Sequence, residues 1–259
     1  MSELVLDDLS VYRGAPYQIT DKIIIPHPTP NQIADMGEQQ YFSVVQHICS
    51  TSSDMKYPLH KMGYDWEKVE DYQMFMMIVQ SLTPDQTHLI FGDIDLSKLS
   101  PRQKKDSEDV VLIDLDSGVY IDEMIYLKIV NYLRKIHGFK RNVIKAESEF
   151  THDMLIEIEK SDLEKTKNKT YKSFLLPLIS SVKARQGYTK ETIFNMQIAE
   201  FLDEVNRLQI IVNTDALLGG VYSGMMDTKR IRKSEFNWMR EINTNDDSPK
   251  GQVIQEGTF

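Results

Sequence analysis

The stretch "VVLIDLDSGVYID", residues 110–122, decides both the fold class and the first question of chemistry. An apolar run, Val110 to Ile113, leads into Asp114, Leu115 and Asp116. An apolar strand ending in D-x-D is the outline with which some phosphatases present a nucleophilic carboxylate and a proton donor. That chemistry needs more than the two aspartates. It needs a parallel sheet with helices on both faces, a lysine and a further acidic pair at later strand ends, and a Gly then Ser or Thr after the second aspartate. Here Asp116 is followed by Ser117-Gly118-Val119, and a β-rich run resumes at once. The pattern reads better as an antiparallel hairpin, with a three-residue loop whose last position, Gly118, takes a left-handed conformation.

Working outward, Asp93 and Asp95 in "FGDIDLS" form the only other carboxylate pair of this kind. Spacing two in an extended segment puts both on one side. Together Asp93, Asp95, Asp114 and Asp116 are the candidate set for a metal-dependent phosphatase or nuclease, and turn carboxylates are the preferred reading. A calcium loop needs five or more ligands within twelve residues, ending in Glu, and is absent. The six histidines (27, 47, 60, 88, 137, 152) form no H-x-x-x-H pair, and Cys49 stands alone. No disulfide can form within the chain, and no cysteine-rich zinc site. His47 and Cys49 fall on different sides of a helix, and His137 before Gly138 is expected at a helix C-terminus, favoured there by the macrodipole. "LLGGVYSG" (Gly219, Gly220, Gly224) lacks the Lys-Ser/Thr of a phosphate loop and is expected to turn between helices. No catalytic residue, cofactor or metal site is assigned.

On the upstream side, residues 11–25 are expected to form a first hairpin, closed off by the prolines of "PHPTP". A helix with Asn31 as cap should follow, running to Cys49 across Gly37, and another over about 66–81 with Val69, Tyr72, Phe75, Met76 and Val79 as its apolar stripe. Thr83-Pro84 starts a short helix by the cap-plus-proline rule. Residues 88–99 read as a strand or an extended edge, and 101–109 as an exposed charged loop. Downstream, "IDEMIYLKIVNYLRKIHG" is the clearest helix, with Met124, Leu127, Ile129, Val130, Leu133, Ile136 and His137 on its buried side and Gly138 after its end. "FTHDMLIEIEK" is a further helix, and the lysines of 160–172 mark a solvated helix or linker. The rest is helical: Pro177 near a helix start and Gly187 as its stop, one helix from Thr189, then short ones near 213–219 and 228–240. The expectation is an α+β chain, mostly α, with small N-terminal and central antiparallel hairpins (11–25 and 110–121) and a helical C-terminal half. Three regions are expected: a mixed part over 1–160, a helical part over 161–242 and a flexible tail over 243–259.

Composition bounds the function. The 259 residues carry a formal net charge of −9, which opposes general attraction to nucleic acid or anionic lipid. The basic cluster "KRIRK" (Lys229, Arg230, Arg232, Lys233) is preferred as a solvated face or protein-binding patch. The N-terminus has no apolar core of a secretory signal, and no apolar run is long enough to span a bilayer. Thirteen Met suit adaptable cores and binding surfaces. What remains is a protein that works by binding other proteins.

Two stretches carry a resemblance. "IIIPHPTPNQIADMGE" (23–38) and "QGYTKETIFNMQIAEFLDEVNRLQ" (186–209) resemble the tail assembly chaperones of tailed bacteriophages. "IFGDIDLS" (90–97), "RKIHG" (134–138) and "VYSGMMDTKRI" (221–231) are similar to stretches recurring in phage and prophage proteins of Gram-positive bacteria. The resemblance implies a non-enzymatic tail morphogenesis protein. Its partners would be phage structural proteins: the tape measure protein, held while tail tube subunits assemble around it, or tube and baseplate subunits. It would act in the host cell cytoplasm as a chaperone, or stay in the virion as a baseplate, connector or tail-completion subunit. Association with further copies of itself is left open.

Overall fold

The computed structural model describes residues 8–104, 109–167, 169–226, 229 and 231–242. The expected tail beyond 242 lies outside the described residues. The chain is mostly helical with two small antiparallel sheets, as the α+β reading expects.

A short helix α1 (Asp8–Tyr12) precedes the first hairpin, β1 (Tyr17–Gln18) and β2 (Ile24–Ile25). That hairpin is tighter than the expected 11–25. Its turn is made by Thr20, whose Oγ1 accepts the Ile23 and Lys22 amides, doing the work that a glycine would otherwise do. Helix α2 (Pro30–Met36) then starts on Thr29, not on Asn31. Thr29 Oγ1 accepts the Gln32 amide while Gln32 Oε1 accepts the Thr29 amide, and Pro30 supplies the preset first helical residue. A second departure follows. Gly37, with φ +99°, splits the expected single helix into α2 and α3 (Glu38–Cys49). The turn re-aims the chain so that Ile33 and the pair Tyr41–Phe42 all reach one core.

The expected helix over 66–81 is three pieces: a 3-10 turn (Trp66–Lys68), α5 (Asp71–Ile78) and a second 3-10 turn (Val79–Ser81). Its stripe is confirmed, since Val69, Tyr72, Phe75 and Val79 are buried. It follows α4 (Lys56–Lys61), and α6 (Pro84–Phe91) follows it on a Thr83–Gln86 capping box. Residues 88–99 are not a strand: they end α6 and form a 3-10 turn at Leu96–Lys98. The strand lies just beyond, in the expected loop. β3 (Ser100–Gln103) pairs with β4 (Val110–Ile113), which pairs with β5 (Tyr120–Ile121), in register Ser100↔Ile113 and Ile113↔Tyr120.

Helix α7 (Glu123–His137) is the centre of the core. Asp122 caps it by accepting the Ile125 amide at 3.0 Å, and Gly138 closes it in the left-handed region. Ile125, Tyr126, Ile129, Val130, Tyr132, Leu133 and Ile136 are buried, each contributing on the order of 1.5–3 kcal/mol of apolar transfer. Met124 is exposed, contrary to expectation, because it sits in the first turn on the outer side.

Helix α8 (Glu149–Thr166) extends well into the lysine-rich stretch and packs against α4 over a small second core of Leu59, Trp66, Val69, Met74 and Ile156. The remaining helices are α9 (Leu175–Gln186), α10 (Lys190–Asn195) and α11 (Ile198–Tyr222). Ile193, Ile198 and Phe201 are fully buried in the same core as Ile23, Ile25 and Ile33. The expected helix from Thr189 breaks at Met196-Gln197. The expected turn at "LLGGVYSG" is a helix instead: Gly219 and Gly220 lie inside α11, and only Gly224, φ +71°, turns the chain. At 25 residues α11 is about 37 Å long. Among the described residues of 228–240, where a helix was expected, a 3-10 turn forms at Lys233–Phe236.

Candidate protein-binding surface

The Asp114 carboxylate of the opening stretch is spent inside its own turn. Asp114 Oδ1 accepts the Asp116 amide at 3.0 Å, and Oδ2 accepts the Ser117 hydroxyl at 2.5 Å. The loop is one residue longer than expected, because Asp114 and Val119 still pair through the Asp114 amide and Val119 carbonyl. Gly118, φ +65°, is its last residue. The Ser117 hydroxyl, then the backbone amides, hold the Asp114 carboxyl below the ordinary carboxylate range. That makes a good turn and a poor nucleophile, because both oxygens already accept hydrogen bonds. Asp95 plays the same part nearby, accepting the Ser97 amide and hydroxyl at the start of the 3-10 turn, while Asp93 and Asp116 are exposed. Asp93, Asp95, Asp114 and Asp116 do not converge into a metal-binding group.

His137 ends α7 on its buried side, as expected, but without the charge that the helix end would favour. It is buried against Phe42 and Phe139, its Nδ1–H donates to the Leu133 carbonyl at 2.7 Å, and Nε2 is 2.7 Å from the Tyr41 hydroxyl. Burial pushes its pKa down to about 4, so it is a neutral core residue, and desolvation outweighs the helix-end field. Cys49 is likewise buried, its thiol pushed up to about 12. Arg134, also buried, donates to the Cys49 carbonyl at 2.6 Å and faces Asp71 at 4.0 Å.

The groups left to meet a partner are apolar and helical. On α8 the outer positions Phe150, Met154 and Ile158 are exposed, Phe150 by 74%. They recur every four residues and so line one side of the helix, flanked by Asp153, Glu157, Asp162 and Lys165. The inner side is anchored: Lys56 pairs with Glu159 at 3.4 Å, and the Glu159 carboxylate accepts the Lys56 amide. The second surface is the distal half of α11. Beyond Phe201, among the described residues of the helix, Thr214 is buried, Leu208, Ile210, Ile211, Leu217, Leu218 and Val221 are half-buried, and Val212 and Tyr222 are exposed. Arg207 Nη1 donates to the Trp238 and Arg240 carbonyls, and Thr214 Oγ1 donates to the Glu235 carbonyl. These bonds lay residues 235–240 along the helix and present Tyr222, Met225, Trp238 and Met239 to solvent. In the expected basic patch, Arg232 pairs with Glu235 at 3.2 Å, while Arg230 lies outside the described residues. The four-residue spacing of 150, 154 and 158 was the sequence signal for the α8 surface.

One polar cluster was not anticipated. Asp65, Glu67 and His152 bring ligand-type atoms within 4.8 Å of one another, from segments with no local motif between them. Asp65 caps the Trp66–Lys68 turn and pairs with Lys68 at 2.8 Å; that hydrogen bond, first, holds its carboxyl below the usual range. Among the described residues no helix is long and apolar enough to cross a membrane.

No curated protein and no solved structure matches the chain. Residues 165–243 match the family model described as the YomV second domain, a stretch that holds α9, α10, α11 and the segment laid along it. Over this part, under a third of its length, the chain is similar to a phage- and prophage-derived family, a likeness that points to a phage-related protein.

Proposed function

We propose that this phage-related protein is a non-enzymatic tail morphogenesis factor that holds apolar helical segments of a structural partner, foremost the tape measure protein, during tail assembly. The observation that carries the reading is the set of exposed apolar side chains on and beside distal α11 (Val212, Tyr222, Met225, Met226, Trp238 and Met239) within the stretch that matches the phage-derived family. Clustered exposed apolar groups of this kind suit a protein-binding surface. An amphipathic tape helix offers the matching ridge, and the flexible Met225, Met226 and Met239 side chains suit repacking against more than one register. The turn-locked aspartates speak against the phosphatase or nuclease alternative. The net charge of −9 keeps such a holder soluble and away from nucleic acid.

The test is co-purification from infected or induced cells on a tagged chain, beside mass spectrometry of mature particles. Recovery of the tape measure protein from lysate, with the chain absent from particles, supports the chaperone role. A fixed copy number in particles would make it a baseplate, connector or completion subunit. Absence from both would remove the tail assignment.

A further inference from the structure

We propose that Asp65, Glu67 and His152 form a binding site for one first-row divalent cation, Zn²⁺ in the first place, that clips the start of α8 to the Trp66–Lys68 turn.

His152 carries the argument. Its ring lies flat on the buried Trp66, with centroids 5.3 Å apart and planes 14° apart, so its direction is fixed. Nδ1 faces the Asp153 carboxylate at 3.3 Å. A carboxylate on one ring nitrogen sets the tautomer and leaves a lone pair on the other, the arrangement that orients metal-bound histidines. Nε2 is out of reach of solvent and faces Asp65 Oδ1 across 3.4 Å. Both ring nitrogens therefore point at carboxylates. A cation between Nε2 and Asp65 Oδ1 would be held by both atoms. Glu67 brings the third ligand atom within 4.8 Å.

One imidazole nitrogen and two carboxylate oxygens suit Zn²⁺, which takes such ligands at about 2.0–2.2 Å and keeps a fourth position for water. Ligand atoms on one such ion sit about 3–3.5 Å apart, so the side chains need close by only about 1 Å. The supports survive binding. Asp65 keeps its cap to the Glu67 amide, Glu67 keeps one oxygen on the Ala146 amide at 2.8 Å, and the mostly exposed Lys68 swings into solvent. The ion would join segments 65–67 and 152, which otherwise meet through the small Trp66–Ile156 core and the Ala146 bond. The site thus acts on the rigidity of α8, whose outer face is Phe150, Met154 and Ile158.

The measurement is calorimetric titration of the untagged, chelator-treated full chain with ZnCl₂. One equivalent should bind. Glu67→Gln keeps the acceptor for Ala146, and His152→Phe keeps the ring on Trp66; each should weaken Zn²⁺ at least tenfold with unchanged far-UV circular dichroism. With free Zn²⁺ at a hundred times its Kd, the wild-type unfolding equilibrium should shift about a hundredfold. If His152→Phe does not fold, Glu67→Gln carries the test alone. Absence of stoichiometric uptake overturns the proposal. Equal uptake by the variants and the wild type overturns it too.

Discussion

Protonation of His137 should weaken the fold by an amount that can be worked out. In an unfolded chain its pKa is about 6.5, and in the core burial lowers it to about 4. The folded state therefore binds fewer protons than the unfolded one between these values, and stability rises with pH through that window. Above pH 6.5 the neutral form dominates in both states and nothing is lost. Falling from pH 7 to pH 4 removes stability at up to about 1.4 kcal/mol per pH unit, about 3 kcal/mol in total, and the loss then levels off. Against a typical total of about 5–15 kcal/mol this is a large share. His27 is lowered by burial and acts in the same direction, whereas Glu159, Asp203 and Glu204 are raised by burial and oppose it. The assay must therefore be a difference. Urea unfolding at half-unit steps from pH 7.5 to 4 should be compared between wild type and His137→Gln, whose amide still meets Tyr41. The variant should be less stable at pH 7.5, yet the gap should shrink by about 3 kcal/mol by pH 4. Parallel curves would show that His137 is not held neutral in the core, and would refute the reasoning.

Tyr41→Phe should cost about 1–3 kcal/mol by leaving buried His137 Nε2 without its donor, read as a lower urea midpoint at constant slope. Phe201→Ala, at a site with no solvent exposure, should cost about 3–5 kcal/mol, while Phe150→Ser should stay within about 0.5 kcal/mol and weaken only partner capture. Gly118→Ala should cost about 1 kcal/mol or more, because its φ is +65° and the new Cβ would meet Lys22 Nζ at 2.6 Å. Cys49 should react with a thiol reagent only after unfolding, since burial raises its thiol to about 12; fast labelling of the native protein would contradict the core position.

Local signals in the sequence were strong where one side chain could close one turn. Asp122 at the cap, apolar residues at three and four spacing and Gly138 after the end locate α7 without help from elsewhere. The central hairpin follows from Gly118 for the same reason. The errors fall where tertiary packing outweighs a local preference. Gly219 and Gly220 each cost a helix about 1 kcal/mol, yet α11 runs through them. Gly37 looks like the same weak spot inside a helix but is the break itself, because in a straight helix Ile33 and Phe42, nine residues apart, would face opposite sides, and both are buried in one core. β3 hides in "SPRQ", four residues with no apolar alternation, because its pairing is dictated by the neighbouring β4. The Asp65–Glu67–His152 group is invisible in one dimension: its members come from a turn and from a helix on the far side of the central hairpin and α7.

The bond from the Ile198 amide to the Pro28 carbonyl, beside fully buried Ile193 and Phe201, has a consequence for how the chain is made. The apolar residues Ile23, Ile25 and Ile33 leave the ribosome early, and part of the core they join, Ile193, Ile198 and Phe201, comes about 170 residues later. At about 5–20 residues per second that is a wait on the order of 10–30 s, in which the N-terminal third is exposed to proteases and to other nascent chains. A nonsense mutation anywhere before Phe201 should therefore yield fragments that are degraded, and the host's own chaperones should be found on ribosomes translating this message.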